Sequence, residues 1–258
     1  MKGVSETFST LILVGVFTAL ALALIPYSYF ATMSSLQKTE YEYVKHVFKS
    51  MAAYFPNIVL AGEYAASIPA QHTSIGYTQA GRIEVYLNSS STPVVVLNCA
   101  ALTLGAGIPG APVGLVYGVG EYLVGDVRFV PRVYEYRSES SGLMTTSFDV
   151  CRMLLSVDVV LKGDLQGYYY VLQLYNLTVH LAGGNGHSLR ITPTGLRHVY
   201  SNIAANLWNI TIVVYDYIVG VRRSYGVADL VKAGFGEAYA GVPFSVDIVV
   251  EDVVVEVV

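Results

Sequence analysis

Charge is scarce in this chain and unevenly placed. Aspartate, glutamate, lysine and arginine make up 13% of its 258 residues, against about 25% in an average soluble protein. None of them falls between Glu6 and Lys38. There is no basic run and the net charge is −4, which argues against nucleic acid as a partner, because a phosphate backbone selects clustered lysine and arginine. Tryptophan occurs once. Cysteine occurs twice, at Cys99 and Cys151, a spacing that fits neither a zinc set nor a CxxC redox motif. GxSxG, HExxH and P-loop patterns are missing, and His46, His72, His180, His187 and His198 show no ligand spacing. No catalytic residue, metal ligand or cofactor is therefore assigned, and an enzyme is not expected. Ser35-Leu-Gln-Lys38 matches a serine–lysine hydrolase pattern only formally and is read as a solvated helix face. Gly105-Ala-Gly107-Ile-Pro-Gly110 matches GxGxxG, but Pro109 and Pro112 forbid the helix that would hold a pyrophosphate, so a loop is expected there.

What is abundant is apolar surface. Hydrophobic residues account for 53% of the chain, too many for a disordered protein and too few for a multi-span membrane protein. Tyrosine (21) outnumbers phenylalanine (9), a preference that suits packed but wet subunit contacts. The uncharged window contains an almost wholly apolar stretch from Phe8 to Ile25, and about twenty such residues span a bilayer once. Tyr27 and Tyr29 follow, at the headgroup level that aromatic rings favour. Beyond them Leu36, Tyr43, Val44, Val47, Phe48, Met51, Tyr54 and Phe55 recur at three- and four-residue spacing, the mark of an amphipathic helix. Pro26 should kink this helix, and Pro56 should end it, because a residue before proline is pushed out of the α region. Residues 5 to 55 are thus expected to form one nearly continuous helix, with Ser5 as its N-cap and Glu6 in its first turn.

Lys2-Gly3-Val4-Ser5-Glu6-Thr7, running directly into an apolar helix, resembles the class III signal of archaeal type IV pilins and archaellins. The resemblance covers roughly residues 1 to 55. It implies a short leader, residues 1–3, removed by a prepilin peptidase between Gly3 and Val4, and a retained helix, residues 4–55, that becomes a filament core. Phe8, Leu11, Val14, Gly15, Phe17, Ala19, Leu22 and Pro26 would lie in that core, and Glu6 would pair with the ammonium exposed at Val4. The implied partners are the membrane before assembly and copies of the same chain afterwards. The leader is short, with a single lysine, and bacterial relatives place a glutamate where this chain has Phe8. A secretory signal cut after Ala23 is the plainer alternative; Glu6 in the n-region and apolar residues beyond the cut speak against it.

From Asn57 the apolar period changes to two. Leu155, Val157, Val159 and Leu161 alternate with polar residues, and a turn at Gly163–Gly167 leads into a long strand from Tyr168 to Leu181, which together read as a hairpin. Further strands are expected at Arg82–Leu87, Val94–Asn98, Val127–Arg137, Ile210–Val219 and Phe244–Val258, with a bulge at Glu251-Asp252, and short helices at Leu196–Leu207 and Ala228–Ala233. The fold expected is α+β: a long N-terminal hydrophobic helix followed by a mainly antiparallel β-sandwich over residues 56–258. In an exported chain Cys99 and Cys151 read as one disulfide, with two buried thiols as the alternative. Sequons occur at Asn88, Asn176 and Asn209, of which Asn88, opening a polar run to Thr92, is the best candidate for glycosylation. Three roles remain: a subunit of an extracellular pilus-like filament with a part in adhesion, a surface protein held by one uncleaved helix, and, least favoured, an anchored exoenzyme whose site is assembled from distant strands.

Overall fold

The computed structural model describes residues 2–69, 71–109, 114–138, 142–162, 165–181, 188–234 and 244–257. Among the described residues one helix, α1 (Lys2–Ala61), precedes thirteen strands. At 1.5 Å per residue its 60 residues extend about 90 Å. The expected stop at Pro56 is corrected: α1 contains both Pro26 and Pro56. Its buried stripe, Tyr41, Val44, Phe48, Met51, Ala52, Phe55 and Ile58, keeps helical spacing past the proline, and packing of Ile58 holds the last turn. Gly62 ends the helix instead, at φ 92°, with its N–H donating to the Ile58 carbonyl at 2.8 Å, the left-handed stop glycine favours. The stripe is narrower than expected, since Leu36, Tyr43 and Tyr54 are about half exposed. Ser5 lies inside the helix rather than capping it.

The strands form two sheets. The first contains β1 (Tyr64–Ser67), β5 (Leu123–Val124), β8 (Met153–Lys162), β9 (Leu165–Leu181), β10 (Ser188–Leu207) and β13 (Phe244–Val257), in the order β1-β10-β13-β9-β8-β5. The second contains β2 (Ser74–Leu87), β3 (Val95–Pro109), β4 (Gly114–Tyr117), β6 (Arg132–Arg137), β7 (Leu143–Asp149), β11 (Ile210–Asp216) and β12 (Val221–Tyr225), in the order β12-β11-β2-β3-β7-β6-β4. Pairing is antiparallel except for β9 with β13 and β5 with β8. The α+β architecture expected from sequence is the one found, and the β8–β9 hairpin and β13 lie where expected; residues 163 and 164 of the hairpin turn lie outside the described residues.

Several local expectations are corrected. Residues 196–207 form strand, not helix: β10 pairs with β13 along its length, and three register shifts absorb its irregular apolar spacing. Long-range pairing overrides a local helical pattern. The bulge belongs to β10 rather than to Glu251-Asp252, because Pro193 faces Val253 and Leu196 faces Glu251, which leaves the extra residue in β10, beside Gly195 at φ 91°. Residues 105–109 continue β3 instead of looping; a Cβ at Gly105 would stand 2.7 Å from the Ser74 Oγ, so that hydroxyl would have to turn aside. The strand expected at Val127–Arg137 is a 3-10 turn (Val127–Phe129), capped by the Asp126 carboxylate, and then β6. A short helix, α2 (Val227–Gly234), covers the expected Ala228–Ala233.

Two cores result. The first lies between the sheets, with Ile83, Val85, Leu97, Met153, Leu172, Ile212, Val246 and Ile248. The second seats α1: Phe48 meets Phe148 with ring centres 6.2 Å apart, and Phe55 meets Tyr175 edge-on at 5.8 Å. The Cys99–Cys151 disulfide ties β3 to the segment where the chain passes from β7 in one sheet to β8 in the other. Phe48→Ala, at a fully buried position, is expected to cost about 3–5 kcal/mol, whereas Leu36→Ala should stay within about 0.5 kcal/mol. Urea unfolding of the two variants in the same detergent measures the difference.

Candidate functional site

The first half of α1 leaves the β domain uncovered. Phe8, Leu11, Val14, Phe17, Leu22, Ile25, Tyr27 and Phe30 all lie between 59% and 72% exposed, on every side of the helix. The helix is long and apolar enough to cross a membrane, with a peak mean hydropathy of 2.5 and none of that window buried. Two of its hydroxyls are satisfied internally: Thr18 donates to the Val14 carbonyl at 2.7 Å and Thr32 to the Ser28 carbonyl at 2.8 Å. Such back-bonding removes the need for an outside polar partner. Gly15 and Ala19 lie on this segment, and a Cβ added at Gly15 meets nothing within 4 Å. Gly3, Val4 and Glu6 fall in the first turns of α1; the surroundings of their side chains lie outside the described residues.

Where α1 enters the β domain, polar contacts fix its angle. The Glu40 carboxylate, 7% exposed, accepts from the His72 and Thr73 N–H groups and from the Thr73 hydroxyl at 2.6 Å. The Tyr41 hydroxyl meets Glu135 at 2.7 Å and Thr146 at 2.6 Å, and Lys45 bridges Glu42 and Glu135. Glu40 escaped the sequence reading because its partners lie more than thirty positions away.

A second polar constellation is buried. The Arg132 guanidinium donates to Asp149 at 2.9 Å and to Asp216 at 2.6 Å. Arg152, fully buried, reaches Asp149 at 3.4 Å and the Cys151 carbonyl at 2.8 Å, and stacks 4.6 Å from the Tyr122 ring. The Tyr122 hydroxyl donates to Asp216, which also accepts from the Ile218 and Val219 N–H groups. Two guanidiniums face two carboxylates, so the cluster is neutral overall. Burial pushes the Asp216 carboxyl up, but Arg132 and the hydrogen bonds outweigh it and hold the group below the usual carboxylate range. Burial lowers the affinity of Arg152 for its proton, and Asp149 only partly offsets this. The cluster joins β6, β7, β11 and the segments before β5 and β8. Its closed geometry suits a structural pin, although the buried Arg152 Nε is left without a hydrogen-bond partner.

The three sequons have different surroundings. Asn88 is exposed, with φ 50° in the turn after β2, and its side-chain oxygen accepts from the Trp208 N–H at 3.1 Å. Asn209 lies beside it, its amide donating to the Ser89 hydroxyl at 3.4 Å. Asn176 sits in mid-strand on β9, with its amide nitrogen bound to Asp252 at 2.8 Å and its oxygen buried. Comparison with known proteins finds no matching family model, no matching curated protein and no matching solved structure.

Two outcomes follow. Asp216→Asn is expected to cost about 3–5 kcal/mol, as when one partner of a buried ion pair is lost. Because the folded carboxyl titrates below its unfolded value of about 3.9, its contribution is complete above that value and is lost as pH falls through the lower folded one. Denaturation midpoints followed from neutral to acid pH should show wild type losing stability only in that acid limb, with a shallower limb in the variant. In glycosylated material, peptide mapping should find glycan at Asn88 and none at Asn176, whose amide is tied to Asp252.

Proposed function

We propose that the chain is a structural subunit of an archaeal type IV pilus-like extracellular filament, polymerising through its N-terminal helix. The observation that carries this reading is the contrast within α1. Residues 41 to 58 bury one stripe in their own domain, while residues 8 to 30 stay apolar and exposed on all sides, and such a surface needs lipid or further copies of itself all round. Gly15 supports it: glycine in a helix is less stable than alanine by roughly 1 kcal/mol, and no contact within the chain calls for it. With Ala19 and Ala23 it offers a small-residue path for close helix approach, where packing rather than dehydration drives transfer out of lipid. The N-terminal Lys2–Thr7 resemblance adds a prepilin peptidase and a cut before Val4. The β domain then coats the filament outside the cell, and no cofactor, nucleic acid or catalysis enters.

The second reading is a surface protein held in the membrane by the same helix, uncut. It is favoured by the internally bonded hydroxyls of Thr18 and Thr32 and by Tyr27 and Tyr29, which suit a single span ending at a headgroup layer.

Val16→Asp is expected to abolish filaments seen by electron microscopy, because a carboxylate in an apolar helix bundle finds no partner. A chain beginning at Ser34 should keep its sheet signal and sediment as a monomer. Intact mass of sheared surface material should begin at Val4. Normal Val16→Asp filaments, or filaments from the shortened chain, refute the assembly reading, and Met1 retained in assembled material favours the anchor.

A further inference from the structure

We propose that the groove beside the exit of α1 binds a neutral oligosaccharide. The groove encloses about 840 Å³, within the range of about 300–1,000 Å³ common for ligand sites. Its walls carry the hydroxyls of Thr73, Ser74, Thr103 and Tyr136 and the carboxamides of Gln37 and Gln71. Among the described residues no carboxylate, ammonium or guanidinium lines it, and the His72 imidazole is its one basic side chain. Phosphates and carboxylates would find no lysine or arginine among its described residues, and an acyl chain would find no continuous apolar wall. A sugar hydroxyl both donates and accepts, as do serine, threonine, tyrosine and amide groups, and the C–H face of a pyranose suits an aromatic ring such as Tyr136. Burial pushes the Tyr136 phenol up, which keeps it a neutral donor.

The fold explains why this surface is open. On β3, Val95, Leu97, Cys99 and Ala101 face the first core; by strand alternation Thr103 and Gly105 continue that face beyond the reach of the opposite sheet. There the residues change from apolar to small and polar. Gly76 stands opposite Thr103, and Gly105 lies between Ser74 on β2 and Thr145 on β7. Each hydroxyl therefore faces a glycine across the ladder, leaving a bare floor with hydroxyl rims. Glu40 grips the rim at His72 and Thr73, so the wall is preformed. The site is complete within one chain and does not rest on the filament reading. Gln37 is eight residues along α1 from Tyr29, about 12 Å of helix, so both a free glycan and a glycolipid headgroup can reach it.

The test uses the full-length chain in an amine-oxide detergent, which carries no sugar. Saturation-transfer NMR with maltose, cellobiose, lactose, chitobiose and mannobiose at millimolar concentration forms one arm. Co-flotation with phosphatidylcholine vesicles with and without a neutral diglycosyl lipid, using chain reconstituted separately, forms the other. Binding in the first arm indicates a free-glycan source, and binding in the second alone a lipid source. Gly76→Val, whose Cβ would sit in ordinary contact 3.5 Å from the Thr103 Oγ1, should fill the floor and abolish binding. Thr103→Val should weaken it about tenfold, the loss of one hydrogen bond, and serves should Gly76→Val fold poorly. Trp208→Ala, at the far end of the second sheet, should change nothing. No binding in either arm overturns the proposal, as does binding that survives Thr103→Val unchanged or is lost in Trp208→Ala alone.

Discussion

Two strands of the β domain, β9 and β13, and their counterpart β3 each serve two cores on opposite faces, and the level at which they change over governs the molecule. On β9, Tyr170, Leu172 and Leu174 face the first core and Tyr175 and Leu177 the second; on β13 the change falls between Val250 and Val253, and on β3 between Ala101 and Leu102. Successive residues point to opposite faces of a strand, so adjacent buried apolar residues mark the reversal on β9 and β3, while on β13 Glu251 and Asp252 stand between Val250 and Val253. The buried ionic cluster sits at this level. Asp149 pairs with Ala101 across the ladder, and the Arg152 carbonyl accepts from the Tyr175 N–H at 3.0 Å. Where neither core can supply apolar contacts, guanidinium and carboxylate groups fill the junction and bond the backbone.

That junction makes the seat for α1 possible. Below it the sheets cover each other; above it they present Phe148, Tyr175, Leu177 and Val253 to the helix. A buried ion pair seldom stabilises more than well-packed hydrophobic residues would, and its use here has a geometric logic. The guanidinium of Arg132 spans two carboxylates on different strands, fixing β6, β7 and β11 in one register. Cys99–Cys151 closes the same region covalently, one residue from Arg152.

The parts legible in the sequence are those whose signal is local. An uncharged window of thirty-odd residues announces α1, two-residue alternation announces β8 and the later half of β9, apolar runs either side of Glu251-Asp252 announce β13, and two lone cysteines announce their bond. The parts that were not legible depend on distant partners. Pro56 carries a local stop signal, yet Ile58 packing in the second core overrides it and Gly62 ends the helix. Residues 196–207 carry a helical spacing, yet β13 draws them into strand at the expense of three register shifts. The ionic cluster joins residues 84 positions apart, and Glu40 finds its donors on another element. None of these leaves a spacing in the chain.

The same distinction separates the two halves of α1 in function. A helix buried by its own domain needs only one apolar stripe, and from Tyr41 to Ile58 the sequence supplies one, with Glu42, Lys45 and Lys49 on the remaining surface. From Phe8 to Phe30 no residue is charged, although a carboxylate or ammonium on the outer face would cost nothing in water and would improve solubility. Retaining apolar groups on every face makes sense only where every face meets an apolar neighbour, whether lipid or another helix. Lipid alone would tolerate leucine at position 15 as readily as glycine. A glycine there, in open space within the monomer, gives up helix stability for room, and under the proposed assembly that room would take a second backbone.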